Sequence, residues 1–168
     1  AGEVGQWAGL HIPIVNRART VLVTAPFPYL PAGFPFVKDE AAQWYCRPEG
    51  PGILMGMGAV ETDDLTAPFQ TEMVDSIIDV AVHRIPVLEK ASMLTGWTGI
   101  RPLTPDDRPI IGPVRGIDGL YLNCGWGGEG IIMAPLAGQL LAECICNGQG
   151  TTVDIGPLSL ERFDCAAS

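Results

Sequence analysis

Asn123-Cys124-Gly125-Trp126-Gly127-Gly128-Glu129-Gly130-Ile131-Ile132 is the most informative segment of this chain. It leaves a run of strand character, Leu120 to Cys124, and opens the best helical pattern in the sequence, Gly130 to Cys146. Gly125, Gly127, Gly128 and Gly130 let the backbone pass very close to a flat ligand. Unpaired amides at a helix start point outward and carry partial positive charge, so they hold an electron-rich oxygen well. A tight strand-to-helix turn, with glycine for packing, is an equal reading of the loop alone. The loop is not a dinucleotide fingerprint: the spacing differs from Gly-x-Gly-x-x-Gly, and no acid follows at the distance of a ribose contact.

Downstream of the loop, Ile132, Leu136, Leu140, Leu141 and Ile145 form one apolar stripe at helical spacing, and Asn147-Gly148 supplies a stop. Pro135 is tolerable there only near the first turn. Upstream, Arg19 to Thr24, Trp44 to Cys46, Ile53 to Met57 and Arg108 to Ile111 read as strands, with PEGPG over 48–52 as a hairpin turn. Val74, Ile77, Ile78, Ala81 and Ile85 predict a helix over Thr71 to Arg84, ended by Pro86. Strands and helices do not alternate regularly. The expected fold class is therefore α+β, a mixed and largely antiparallel sheet with flanking helices, rather than a doubly wound unit.

Bulk properties narrow the function. Of 168 residues 47% are hydrophobic and 17% charged, and mean hydropathy is +0.24. That is oily for a free-standing domain, so part of the apolar surface is expected to face more chain or a partner. A net charge of −9 with scattered basic residues argues against a nucleic-acid partner. The uncharged stretch Gly130 to Ala142 is too short and too broken for a membrane span. Cys46, Cys124, Cys144, Cys146 and Cys165 are odd in number and form no Cys-x-x-Cys pair; all five are expected as small buried residues in a reducing cytoplasm. Cys144 and Cys146 should point to different faces of their helix. Trp7, Trp97 and Trp126 are expected in the core. His11 and His83 lie far apart without ligand spacing, so no metal site is expected.

Two further stretches bear on chemistry. In Trp97 to Gly112, WTGIRPLTPDDRPIIG, Arg101 stands between Ile100 and Pro102 in a weakly charged run. A partly hydrated guanidinium there suits bidentate capture of a carboxylate; a structural ion pair is the alternative. Asp106 and Asp107 belong to a turn signature and are not expected as catalytic acids. In WYCRP over 44–48, strand alternation puts Tyr45 and Arg47 on one face, where Tyr45 either meets a ligand or is a half-buried sheet aromatic.

Taken in order, these stretches resemble the D-amino-acid oxidase-like FAD enzymes, a family that includes glycine oxidase, the sarcosine oxidase β-subunit and D-amino-acid dehydrogenases. The resemblance is carried by G-x-R-P-x-T-P-D-x-x-P-I-I-G from Gly99 to Gly112, then Gly119-Leu120-Tyr121, then G-W-G-G-E-G-x-x-x-A-P-x-x-G-x-x-L-A-E from Gly125 to Glu143. Weaker likeness runs through Tyr45 and Gly52 to Gly56, and through Ala1-Gly2, Pro13-Ile14 and Arg17. It implies hydride transfer from a C–H next to an amine nitrogen of a small amino acid or N-methylated glycine to flavin. It also implies FAD contacts at Gly99, Gly125, Trp126, Gly127, Gly128, Glu129, Gly130 and Ile131, and substrate contacts at Arg101 and Tyr45, with no catalytic side chain. Residues 1–95 would be mostly substrate domain and 96–168 the segment completing the FAD domain.

The family's N-terminal dinucleotide-binding (Rossmann) part has no counterpart here. The expectation is the C-terminal half of a two-domain enzyme, binding FAD weakly or not at all alone, with the rest of the polypeptide or a partner subunit completing it. A homo-oligomer is compatible with this. No Cys stands in Trp97 to Leu103, where some members attach flavin, so a non-covalent flavin is expected. The rival readings are a non-catalytic regulatory or scaffolding relative and a self-sufficient module for a small carboxylate.

Overall fold

The computed structural model describes residues 1–166, with side chains as far as Phe163. The chain divides into two compact units, Ala1–Asn16 with Arg101–Ser168, and Arg17–Ile100. It passes between them within β1 (Val15–Thr24) and again within β5 (Met93–Leu103), after a short opening helix α1 (Gly2–Trp7).

The unit Arg17–Ile100 is built on a five-stranded sheet in the order β2-β3-β4-β1-β5, with β2 at Val37–Asp39, β3 at Trp44–Glu49 and β4 at Gly52–Glu61. Strands β3 and β4 form the hairpin that PEGPG predicts, paired antiparallel with Tyr45 opposite Gly56 and Pro48 opposite Ile53; β1 and β2 pair antiparallel with β4 and β3. Alternation sorts the side chains. Leu22, Trp44, Cys46, Ile53 and Met55 bury against Ile77 and Ala81 of α2 (Met73–Arg84), while Val21, Val23 and Leu54 gather on the other face with Tyr45. Burial pushes the Cys46 thiol up to about 11.

Strand β5 is missing from the sequence reading. Gly96, Gly99 and Pro102 lower its strand propensity, yet it lies at a sheet edge, where such residues are tolerated. Gly96 is also required by packing: a Cβ there would stand 2.8 Å from the Phe69 ring.

The other unit holds the two-stranded antiparallel sheet of β6 (Ile110–Pro113) and β7 (Tyr121–Cys124), packed against α3 (Gly130–Asn147) through Ile111, Ala137 and Leu140. Several expectations are corrected here. Helix α3 buries Ala137, Leu140 and Cys144, whereas Ile132 and Ile145 of the predicted stripe are 79% and 54% exposed. Pro135 is the sixth residue of α3, past the first turn, and leaves the Ile131 carbonyl without its intrahelical donor. The helix is 18 residues long, against 13 in the uncharged stretch. By length and composition it alone among the described helices would be able to cross a membrane, a test that the buried core helices of soluble proteins also pass. Trp7 and Trp97 are exposed rather than in the core, and Trp126 is half-buried. Cys46 and Cys144 are buried, Cys124 half-buried and Cys146 exposed, and these four are free; Cys165 lies outside the residues whose side chains are described. Cys144 and Cys146 do take different faces of α3.

Candidate functional site

The loop between β7 and α3 is held by its own unit. Gly125 and Gly127 have φ of +74° and +58°, conformations that side-chain-bearing residues rarely adopt. Gly125 also fits tightly, since a Cβ would stand 2.7 Å from Thr104 Cγ2. The Gly127 amide donates to the Pro102 carbonyl at 3.0 Å, Leu103 bridges to Trp126, and the Glu129 amide donates to the Trp126 carbonyl at 3.0 Å. Trp126 Nε1 donates to Asn123 Oδ1 at 2.5 Å. The loop is thus bound to the end of β5 that carries Arg101.

Helix α3 begins without a side-chain cap, and its first amide turned inward is that of Met133, which donates to Glu129 at 3.0 Å. The amides of Gly128, Gly130, Ile131 and Ile132 therefore have no backbone acceptor among the described residues, while those of Gly127 and Glu129 are spent inside the loop. The set of free donors extends further into the helix than the glycines suggest. Ile132 is a member that the glycine spacing does not reveal, because hydrogen-bond direction is decided only once the loop is tied to Pro102. Ile131 and Ile132 are 94% and 79% exposed, so these donors open outward.

Arg101 reaches this loop. A Cβ added at Gly128 would stand 2.7 Å from Arg101 Nη1 and 2.8 Å from Cζ, so the guanidinium lies directly against the loop backbone. Arg101 has no ion pair or hydrogen bond among the described residues. The turn after it takes its partner from elsewhere. Asp106 accepts from Arg162 Nε at 2.9 Å and from the buried Thr104 hydroxyl at 2.9 Å. Those bonds, Arg162 first, hold its carboxyl well below the ordinary range. Asp106 is a structural ion-pair residue rather than a purely solvent one; Asp107 has φ +55° in the same turn.

Tyr45 and Gly99 belong to the other unit. The Tyr45 ring stacks on Phe36 with centroids 5.7 Å apart, lies under the Arg19 guanidinium at 4.8 Å, and presses on Gly56, where a Cβ would stand 2.7 Å away. Its hydroxyl has no hydrogen bond among the described residues. Arg47, on the same strand, pairs with Glu49. Gly99 is half-buried in β5 with open space where a side chain would stand. A separate cavity of about 540 Å³, lined by Ile111, Arg115, Cys144, Asp154 and Glu161, contains none of the residues singled out from the sequence. No cluster of His, Cys, Asp and Glu able to hold a metal occurs among the described residues.

The family model described as DAO, FAD dependent oxidoreductase, matches residues 1–144. The chain is 28% identical to mouse (Mus musculus) mitochondrial sarcosine dehydrogenase, over 97% of this chain and 19% of that protein. It is 30% identical to sarcosine oxidase subunit beta of Arthrobacter sp, over 96% of this chain and 39% of that protein. The crystal structure of glycine oxidase from Geobacillus kaustophilus superposes with a TM-score of 0.82 at 29% identity, over 96% of this chain and 43% of that one. The chain thus spans less than half the length of these relatives.

Proposed function

Because the chain belongs to the family of FAD-dependent oxidoreductases, we propose that it supplies the flavin-edge and carboxylate-binding part of an enzyme that oxidises the C–N bond of a small amino acid or N-methylated glycine. The observation that carries the reading is Arg101, a cation without an ion pair among the described residues, lying against the same loop that opens into the free amides of α3.

The residues fit the cofactor. Gly125 and Gly127 supply the left-handed turns that shape the loop, and the amides of Gly130, Ile131 and Ile132 offer donors and the positive end of a helix to the pyrimidine edge of the ring. When bound, flavin supplies a two-electron acceptor for the hydrogen on the carbon beside nitrogen. The donors stabilise negative charge on the ring edge, and Arg101 binds the substrate carboxylate and so fixes which carbon faces the ring. Tyr45 is assigned to the substrate side by resemblance. Residues 1–95 are assigned mostly to substrate binding and 96–168 to completion of the FAD domain. Pyrophosphate binding falls to a dinucleotide segment, in the same polypeptide or a partner subunit; the relatives that are themselves named as subunits favour keeping both arrangements.

Anaerobic addition of N-methylglycine, glycine or D-amino acids to the complete FAD-loaded enzyme, dinucleotide segment included, tests this. The flavin absorbance should bleach with a carboxylated amine, and Arg101→Ala should raise the concentration needed by about two orders of magnitude, the scale of a lost charge-assisted bidentate contact. A colourless complete enzyme, or a flavin unmoved by all of these compounds, would overturn the proposal.

A further inference from the structure

The glycines of the loop are not there for one reason. Gly125 and Gly127 need the left-handed region of backbone space. Gly128 does not: its φ lies outside that region, so its backbone would accept any residue. The three atoms nearest to where its Cβ would stand are all in the Arg101 guanidinium, Nη1 at 2.7 Å, Cζ at 2.8 Å and Nη2 at 3.2 Å. Glycine at 128 therefore leaves room for one thing, the charged end of Arg101.

We infer that Gly128 is a positioning residue for Arg101, and that its missing Cβ sets where a substrate carboxylate is bound. This rests on the proposed role of Arg101. The contact is with the far end of a flexible side chain, so a methyl group at 128 moves the guanidinium and leaves the loop in place. A displaced fork loses its registry with both carboxylate oxygens at once, because bidentate pairing tolerates little rotation. Carboxylate recognition then depends on residue 128, although residue 128 itself touches no carboxylate.

The test is calorimetric titration of acetate into the flavin-loaded protein, with Gly128→Ala, Arg101→Lys and the double variant beside it. Gly128→Ala should keep its melting temperature and lose about tenfold in acetate affinity, as one arm of the bidentate pair is lost. Arg101→Lys should weaken acetate binding when residue 128 is glycine but not when it is alanine, because the slimmer ammonium is not displaced by the methyl group. If the unsubstituted protein takes no acetate, the carboxylate reading fails and this inference with it. If it takes acetate and Gly128→Ala takes it equally well, the inference alone falls. Early melting of Gly128→Ala would also overturn it, since the guanidinium and not the loop must give way.

Discussion

At Gly125 two constraints coincide. Its φ of +74° is unfavourable for alanine, and a Cβ would meet Thr104 Cγ2 at 2.7 Å, a methyl on a wholly buried residue that cannot swing away. Gly125→Ala should therefore lower stability by about 1–3 kcal/mol, read as a shift of the denaturation midpoint; an unchanged midpoint would show that the loop relaxes. Gly128→Ala should differ in kind, because only the end of a mobile side chain stands in its way. Two glycines three positions apart in one loop thus separate folding from ligand placement.

Single elements are held by contacts that sequence patterns locate only roughly. The turn after β5 is fixed by Asp106, which joins Thr104, the Arg108 amide and Arg162 of the C-terminal 3-10 helix. Its carboxyl titrates below the ordinary 3.8 in the folded chain, so its contribution is complete above about pH 4 and drains away as pH falls through the native value. Asp106→Asn should flatten the acid limb of a stability–pH curve. Because the Asp106 side chain is 36% exposed, the loss at neutral pH should stay under about 1 kcal/mol. An acid limb of unchanged slope would remove the pair from the account. Helix α2 depends instead on apolar burial: Ile77 is 0% exposed against the sheet, and Ile77→Ala should cost about 2–5 kcal/mol in chemical denaturation. A loss below about 1 kcal/mol would mean that the site collapses freely.

Over the whole molecule, a chain with 47% hydrophobic residues leaves large apolar groups uncovered, Trp7, Ile131 and Ile132 in one unit, Leu94 and Trp97 in the other. The chain spans under half the length of those relatives. The two-stranded sheet of β6 and β7 is also too small to be stable by pairing alone and leans on α3. The stretch Trp97 to Leu103 holds no Cys able to form a thioether with flavin. Acid precipitation of the FAD-loaded protein should therefore leave the yellow colour in the supernatant, and colour in the pellet would show a covalent link.

The strand, glycine loop and helix order around Gly125, the β3–β4 hairpin turned by PEGPG, helix α2 and the family are all legible in the amino-acid order, because each rests on local spacing and on residues adjacent in the chain. Tertiary structure decided which face of α3 is buried. Periodicity defines a stripe, but Ala137, Leu140 and Cys144 were chosen over Ile132 and Ile145 by what packs there. It also decided that β5 is a strand despite its glycines, that Arg162 rather than Arg101 takes the nearby acid, and that the Arg101 guanidinium rests on Gly128. These are contacts between residues far apart along the chain, and their geometry exists only after the backbone between them has closed.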